Sequence, residues 1–599
     1  ILPMNYNDYG ASIILIVPKI FGQSIKKAEE LVIKEIQKIK NGDFSDDLLQ
    51  ASKNSLYLSH QTAIEDIDNR ALLFAETFTQ NIPIDEVIKY PQKIKAVNKE
   101  DVIKVANEYF NNNYLAFYSK IGFPKKEKID KPNYKPVLSN SEAKSQFAVR
   151  LSNIPDKQIK EKYFDFNKDI KELDLKGGNK LIWNNNPYND IFSMVIRYKI
   201  GEYRLPLLKY VSRIMNYAGT SSMTIKSVKD KFSLLGCNYD IYSNDNYFTI
   251  KLQGIEENLE NALTLINEII NKPVLEKAKI KIIVDEERTT RKLERSEPDN
   301  VSNALFEYVK YGNKSQYIDR LSIKDIKNLN VDTIINIFHK AVSYETEIYY
   351  TGTKLPEEVK EIIEKFNIVN INPHKSSSPE EKPINKYDKN IVFAVNKKNA
   401  TQSKINFLII GKPYDIKDDA AIEAFNLYFG GDFSGLALQE IREYRSLAYE
   451  AEAAYNIPLK QGYLGIFEGY LGTQADKTIS AIQVFDSLLM FMPLKPERIN
   501  MIKNYLIGAT LSDRPSFRKI GLKINEWRQK GYTEDPAKIL INQYKEINFN
   551  TIVDFYKKFI EKQYIIITIT GNQKRFNLKE LEKFGDIIQL KEKQLFKNK

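Results

Sequence analysis

The chain has 599 residues, of which 42% are hydrophobic and 12% aromatic, too many for one core and enough to fill several domains of ordinary size. Its 89 basic and 78 acidic residues leave a formal charge of +11 on a mixed surface. No stretch concentrates Lys and Arg among stacking aromatics, which argues against nucleic-acid binding. No apolar run approaches the roughly 18 residues that would span a bilayer, and the lone Cys237 excludes an internal disulfide.

The first residues, Ile1 to Asn7, read as neither a signal nor a transit peptide. An apolar segment, Ala11 to Val17, follows and reads as a strand. The abrupt start leads to the expectation that an amino-terminal part of a longer product precedes it. Apolar periodicity then predicts a long amphipathic helix over Ser24 to Lys40.

Three segments repeat at intervals of roughly 220 to 230 residues, a spacing suited to whole-domain duplication. They are Ala96-Val97-Asn98-Lys99-Glu100-Asp101-Val102-Ile103, Asn328-Leu329-Asn330-Val331-Asp332-Thr333-Ile334-Ile335 and Glu546-Ile547-Asn548-Phe549-Asn550-Thr551-Ile552-Val553. Each sets Asn as a helix N-cap after an aliphatic residue. Each then runs into a β-rich segment, at Tyr114 to Tyr118, Glu347 to Tyr350 and Tyr564 to Thr570. The second and third continue through Thr351-Gly352-Thr353 and Gly571-Asn572 into charged helices that end at Lys365-Phe366 and Lys583-Phe584.

Two polar stretches, Lys125 to Asn153 and Asn372 to Asn390, read as connections. Between them, Cys237 reads as a buried or turn-edge thiol. Alternating residues from Tyr239 to Leu252 about the turn Ser243-Asn244-Asp245-Asn246 predict a hairpin, and Glu256 to Asn271 an amphipathic helix. Antiparallel sheet with helices over one face makes the fold class α+β.

The densest motif lies late in the chain: Phe429-Gly430-Gly431-Asp432-Phe433-Ser434-Gly435-Leu436, then Leu438-Gln439-Glu440-Ile441-Arg442-Glu443, then Leu447-Ala448-Tyr449. Its glycines fit neither a Walker A loop nor a dinucleotide fingerprint. It resembles the Gly-Gly, Ser, Leu, Gln-Glu-Leu-Arg-Glu and Leu-Ala/Gly-Tyr signature of the M16 family, the insulinase and pitrilysin superfamily of zinc peptidases. The resemblance covers essentially the whole chain and is to the large bacterial forms with two halves in one product.

That resemblance implies repeated M16 domains in clamshell halves that enclose a chamber for peptide, with zinc on the first domain. Residues 1–120 would be the later part of domain two, 121–165 an inter-half linker, 166–371 a degenerate domain three, 372–390 a linker and 391–599 domain four. It also implies catalytic roles for Arg442 and Tyr449, which match the family's pair at its offset of seven and reach toward substrate near the zinc of the other half. The chemistry suits them. Attack of water on a peptide carbonyl makes an oxyanion, which a phenol donor and a nearby guanidinium can bind. Taken singly, Arg442 reads as a surface residue closing a helix and Tyr449 as a packing residue; together in the signature, the functional reading is favoured. Arg445 ranks second because its offset to Tyr449 differs.

The family's zinc helix, His-x-x-Glu-His, needs two imidazoles a turn apart. This chain has three histidines, His60, His339 and His374, and none has a histidine partner at helical spacing. In the corresponding run, Tyr210 to Thr220, the places of His, Glu and His fall on Tyr210, Arg213 and Ile214. Asp285, Glu286 and Glu287 lie downstream, but carboxylates alone do not make this site. Zinc is therefore expected in the complete enzyme and not on this chain.

The expected function is the carboxy-terminal portion of an M16-type zinc metalloendopeptidase, inactive alone, acting on peptide or unfolded protein. Its partner would be an upstream catalytic domain of the same product or a separate subunit. The alternatives are a non-catalytic partner subunit and a scaffold that has lost proteolysis. The expected compartment is a bacterial periplasm or cell envelope, with the cytoplasm as alternative.

Overall fold

The three repeated asparagines each cap a helix in the computed structural model, which describes residues 2–19, 22–120, 122, 144–155, 160–376, 379–431 and 433–597. Asn98, Asn330 and Asn548 accept from the backbone N–H of Asp101, Thr333 and Thr551, opening the helices Lys99–Tyr109, Val331–Val342 and Phe549–Phe559. Each cap satisfies an otherwise orphaned donor and is worth about 1 kcal/mol.

The chain divides into two units, Ile1–Tyr57 with Ile67–Glu161, and Leu58–Asp66 with Lys162–Lys599. In the first, a hairpin joins β1 (Leu2–Asn5) and β2 (Gly10–Ile13), so the predicted strand at Ala11 to Val17 is paired only to Ile13. Ser24 caps the helix Ile25–Asn41. The Asn107 amide donates to the Lys40 carbonyl (3.0 Å), tying this helix to Lys99–Tyr109. Tyr114 to Tyr118 is not a strand. The Tyr114 and Tyr118 hydroxyls donate to Glu29 (3.1 and 2.8 Å) while Leu115 and Phe117 are exposed. β-branched and aromatic composition does not make a strand without a neighbour to pair with. Of the predicted connection Lys125 to Asn153, residues 125–143 lie outside the described residues, and Gln146–Ser152 is a helix capped by Ser145.

The second unit holds two six-stranded sheets. The first contains β3 (Lys171–Asp174), β4 (Lys180–Asn185), β5 (Ile191–Tyr198), β7 (Cys237–Ser243), β8 (Phe248–Ile255) and β10 (Thr346–Gly352), in the order β3-β4-β10-β5-β8-β7. The short strands β6 (Gly219–Thr220) and β9 (Pro273–Val274) pair separately. The second sheet contains β11 (Ile391–Asn396), β12 (Gln402–Pro413), β13 (Ala448–Asn456), β14 (Leu464–Gln474), β15 (Ile566–Gly571) and β16 (Asp586–Leu590), in the order β13-β14-β12-β15-β11-β16.

Read from opposite ends, β4-β10-β5-β8-β7 and β11-β15-β12-β14-β13 have one order and one set of directions. A parallel pair, β4 with β10 or β11 with β15, is followed by antiparallel pairs. This is the duplication that the repeats signal. The sheets are mixed, however, because the strand after each capped helix returns beside the first strand of its repeat. The predicted hairpin, β7 with β8, is antiparallel as expected.

Both faces of each sheet are covered, where one was expected. Phe192, Met194, Ile196 and Tyr198 of β5 enter the larger core beneath the helices Leu208–Met215, Leu259–Asn271 and Val331–Val342. Ile182 and Tyr349 turn to the opposite face, where Ile524 of the helix Ile520–Lys530 packs on them with Phe166 and Ile170. The second sheet repeats this arrangement. Its outer face receives Val301, Ala304, Leu305 and Val309 of the helix Pro298–Tyr311. Each half of the duplication thus lends a helix to the other's sheet.

Polar pins fix both exchanges. Asn525 donates to Glu347 (3.0 Å) and to the Tyr349 hydroxyl (2.6 Å), and Arg197 pairs with Glu347 at 2.8 Å. Lys404 pairs with Asp299 at 2.8 Å, and Asn406 donates to Ser302. Burial opposes ionisation of Glu347, but the charges of Arg197 and Lys199 prevail and hold its carboxyl below the usual range. In the connection Asn372 to Asn390, the Asn385 amide and Tyr387 hydroxyl donate to the Val309 carbonyl (3.0 and 2.7 Å).

Candidate functional site

The late motif begins where the helix Asp419–Phe429 meets β13. Asn426 clips the two together, accepting from the Tyr455 N–H (2.7 Å) and donating to its carbonyl (3.0 Å). A Cβ on Gly430 would lie 1.7 Å from the Ala453 carbonyl oxygen, and one on Gly435 would lie 2.6 Å from that of Gly431. Both glycines have negative φ. Close backbone approach, not a left-handed conformation, is what requires them.

From there to Tyr449 the backbone departs from regular geometry three times. Gln439–Glu443 is a π-helix, with the Tyr444 N–H donating to the Gln439 carbonyl at 2.9 Å. Ser446 has φ of 49°. In the β13–β14 register Ala448 faces Thr473 and Glu450 faces Gly472, which leaves Tyr449 as the extra residue of a bulge. Lys477 donates to the Ser446 carbonyl (2.9 Å), and the Leu447 N–H donates to that of Ile441 (2.9 Å). Such departures cost energy and concentrate where a side chain must be re-aimed.

Their result is that two side chains seven apart in sequence meet. The Arg442 guanidinium carbon lies 4.9 Å from the Tyr449 ring centroid and 5.6 Å from that of Phe433. Its Nε is 3.3 Å from a Glu443 carboxylate oxygen. The Tyr449 and Phe433 residues are each 71% exposed. Arg445 instead turns to Glu440, bonding its carbonyl at 2.7 Å and its carboxylate at 2.5 Å.

Three supporting residues escaped the sequence reading. Phe433 stood inside the motif, but nothing in its neighbours marked it as exposed. Arg498 donates to the Ser434 carbonyl (2.9 Å) and to the Gln439 side chain, and Lys495 lies 3.6 Å from Glu440. Both are far from the motif in sequence and carry no spacing signal.

In the first sheet's half, Tyr210, Arg213 and Ile214 lie on the helix Leu208–Met215. Arg213 reaches Glu287 at 2.5 Å and Glu286 at 2.8 Å. Arg291 also binds Glu287 (3.0 Å), and its guanidinium is 3.4 Å from the Tyr210 hydroxyl. Burial works against ionisation of Glu287, but hydrogen bonds and charge from Arg213 and Arg291 outweigh it and lower its pKa. Asp285 faces away, to Lys281 and Arg288. Guanidinium groups thus hold the carboxylates here, an arrangement that does not fit zinc.

The three histidines lie on separate elements. The His339 ring nitrogen meets the Ile270 carbonyl at 3.0 Å, His374 packs on Tyr344, and His60 belongs to the helix Asp46–Ala63. Among the described residues no group of three or more His, Cys, Asp or Glu could hold a metal ion. Burial pushes the Cys237 thiol up to about 12, an inert setting. No helix among the described residues is long and apolar enough to cross a membrane.

Comparison with known proteins finds similar chains and folds. Residues 345–493 match the Peptidase M16 inactive domain. The chain is 19% identical over 321 residues to the uncharacterized zinc protease YmxG of Bacillus subtilis, covering 52% of this chain and 77% of that protein. A solved M16 inactive domain from Pseudomonas fluorescens has a TM-score of 0.55 at 16% identity, over 67% of this chain and 97% of its own. The periplasmic protease PqqL of Escherichia coli has a TM-score of 0.54 at 12% identity, over 91% of this chain but 63% of its own. Residues 345–493 thus match the inactive domain of the M16 peptidases, and solved M16 structures share the fold of this chain.

Proposed function

We propose that this chain is the non-catalytic part of an M16 zinc metalloendopeptidase. It encloses the peptide substrate and presents Arg442 and Tyr449 to the carbonyl under attack. The observation that carries the proposal is the Arg442 guanidinium lying 4.9 Å from an exposed Tyr449 ring, both held by an irregular backbone. Zinc, on a domain of the same product or of a partner subunit, supplies the activated water. The relative named a zinc protease supports that assignment.

Within this reading the Tyr449 hydroxyl donates a hydrogen bond to the carbonyl oxygen as negative charge develops there. Arg442, which has five N–H donors and is always charged, adds a second source of positive potential and orients the peptide backbone. Its Nε faces Glu443 at 3.3 Å, so the terminal amino groups are the donors that would meet substrate. Residues 1–120, 166–371 and 391–599 would correspond to the later part of domain two, to domain three and to domain four, with 121–165 and 372–390 as connections. The likeness to a periplasmic protease favours a bacterial envelope location.

Peptide hydrolysis measured with this chain alone, and then with a zinc-bearing M16 half added, tests the assignment. The proposal expects activity only in the mixture or in the full-length product. Hydrolysis by the chain alone would overturn it.

A further inference from the structure

We propose that Lys404 and Glu450 are positioning residues for Tyr449. Their ion pair, made across the intervening strand β14, selects Tyr449 as the extra residue of the bulge and so sets its ring beside Arg442. The inference rests on the reading of Tyr449 as substrate-facing.

Three strands contribute one residue each to a row. Lys404 of β12 faces Gly472 of β14, and Gly472 faces Glu450 of β13, the residue after Tyr449. Residues in register share a side of the sheet, and here the middle one has no side chain. A Cβ on Gly472 would lie 3.0 Å from a Glu450 carboxylate oxygen and 3.5 Å from the Lys404 Nζ. The glycine thus opens the slot through which the two charges meet, at 3.7 Å. The Tyr470 hydroxyl lies 3.2 Å from the same Glu450 oxygen and 3.3 Å from Asp299. Asp299, on the helix lent by the other half, closes the cluster by pairing with Lys404 at 2.8 Å.

The Lys404 side chain is 8% exposed, whereas those of Glu450 and Asp299 are about half exposed. Burial works against its charge, but hydrogen bonds with Asp299 and Tyr470 outweigh it and raise its pKa. A buried cation is costly when a counter-charge is withdrawn. That cost decides a question which the core leaves open. Ala448 faces Thr473 and Ala451 faces Leu471, and both alanines are core residues. Between them two residues, Tyr449 and Glu450, share the single partner Gly472. With Tyr449 in the row and Glu450 looped out, both core contacts would survive, but Lys404 would lose its second carboxylate. The ion pair excludes that arrangement and leaves Tyr449 as the residue re-aimed by the bulge.

The test measures peptide hydrolysis by the complete peptidase carrying Lys404→Met or Glu450→Gln, each alone and combined with Tyr449→Phe. Each single variant is expected to lower kcat roughly tenfold with KM within about threefold. In the Tyr449→Phe background the same substitutions cost less than about twofold more, because the hydroxyl they position is already gone. Losses that multiply in that background would give the pair a role unrelated to Tyr449 and overturn the inference. If Lys404→Met does not fold, Glu450→Gln, at a half-exposed position, decides alone. Hydrogen exchange of this chain reads the register without turnover: the Leu447 to Ala451 amides should exchange faster in either variant, and unchanged exchange would overturn the inference. If Tyr449→Phe slows hydrolysis while neither positioning variant does, only the positioning role fails; if Tyr449→Phe slows nothing, the reading beneath it fails as well.

Discussion

Replacing Glu287 with Gln removes the carboxylate that two arginines share. The side chain is 7% exposed, with Arg291 at 10% and Arg213 at 35%. Gln can still accept from one guanidinium, but its amide N–H₂ must face the other. Loss of one charge-assisted hydrogen bond costs about 2 kcal/mol, and leaving Arg291 buried without its counter-charge raises the total to roughly 3 kcal/mol. Arg213 reaches solvent and adds little. The chain's two tryptophans, Trp183 and Trp527, both lie in the second unit, so urea unfolding followed by tryptophan fluorescence reads that unit. Because the folded pKa of Glu287 is depressed from 4.5, its contribution is complete above the unfolded value and is lost as pH falls through the folded one. The deficit of Glu287→Gln should therefore be full at pH 7 and shrink in acid. An unchanged midpoint at pH 7, or a deficit that grows on acidification, would refute the reasoning.

Other outcomes follow from the same geometry. Gly430→Ala forces a Cβ to within 1.7 Å of the Ala453 carbonyl; a cost of roughly 3 kcal/mol should appear in the same urea assay, with turnover of the complete enzyme falling as Arg442 shifts. Asp419 is buried, which raises its carboxyl pKa even though tyrosine hydroxyls hydrogen-bond to it. The stability this group supplies is present below its unfolded value of 3.8 and is lost as pH rises through the folded one. Asp419→Asn should accordingly raise the urea midpoint at pH 8, and the gain should vanish in strong acid. Metal analysis of the dialysed chain should find no stoichiometric zinc, whereas one zinc per chain would contradict the guanidinium-filled arrangement at Arg213 and Arg291.

Much of this was legible because its causes are local. An Asn before an apolar helix caps it, and a polar turn between alternating segments closes a hairpin. What escaped depends on partners far along the chain. Thr346–Gly352 pairs parallel with Lys180–Asn185, and no local pattern sets that direction. The apolar stripe of Pro298–Tyr311 shows that it is buried but not that it crosses to the other sheet. Tyr114 to Tyr118 has strand composition, yet a strand is defined by its neighbour. At the site, the offset between Arg442 and Tyr449 was readable, whereas the π-helix and bulge that bring the two side chains together are properties of the folded backbone. Arg498 contributes through tertiary contact alone.

The central claim is that Tyr449 binds charge that develops during the reaction. Single-turnover and steady-state kinetics of Tyr449→Phe in the complete enzyme test it most directly, since the substitution removes the hydroxyl and keeps the ring under Arg442. The account predicts a fall in kcat of roughly a hundredfold, with KM changed by less than about threefold. An unchanged kcat would contradict it and return Tyr449 to a packing role.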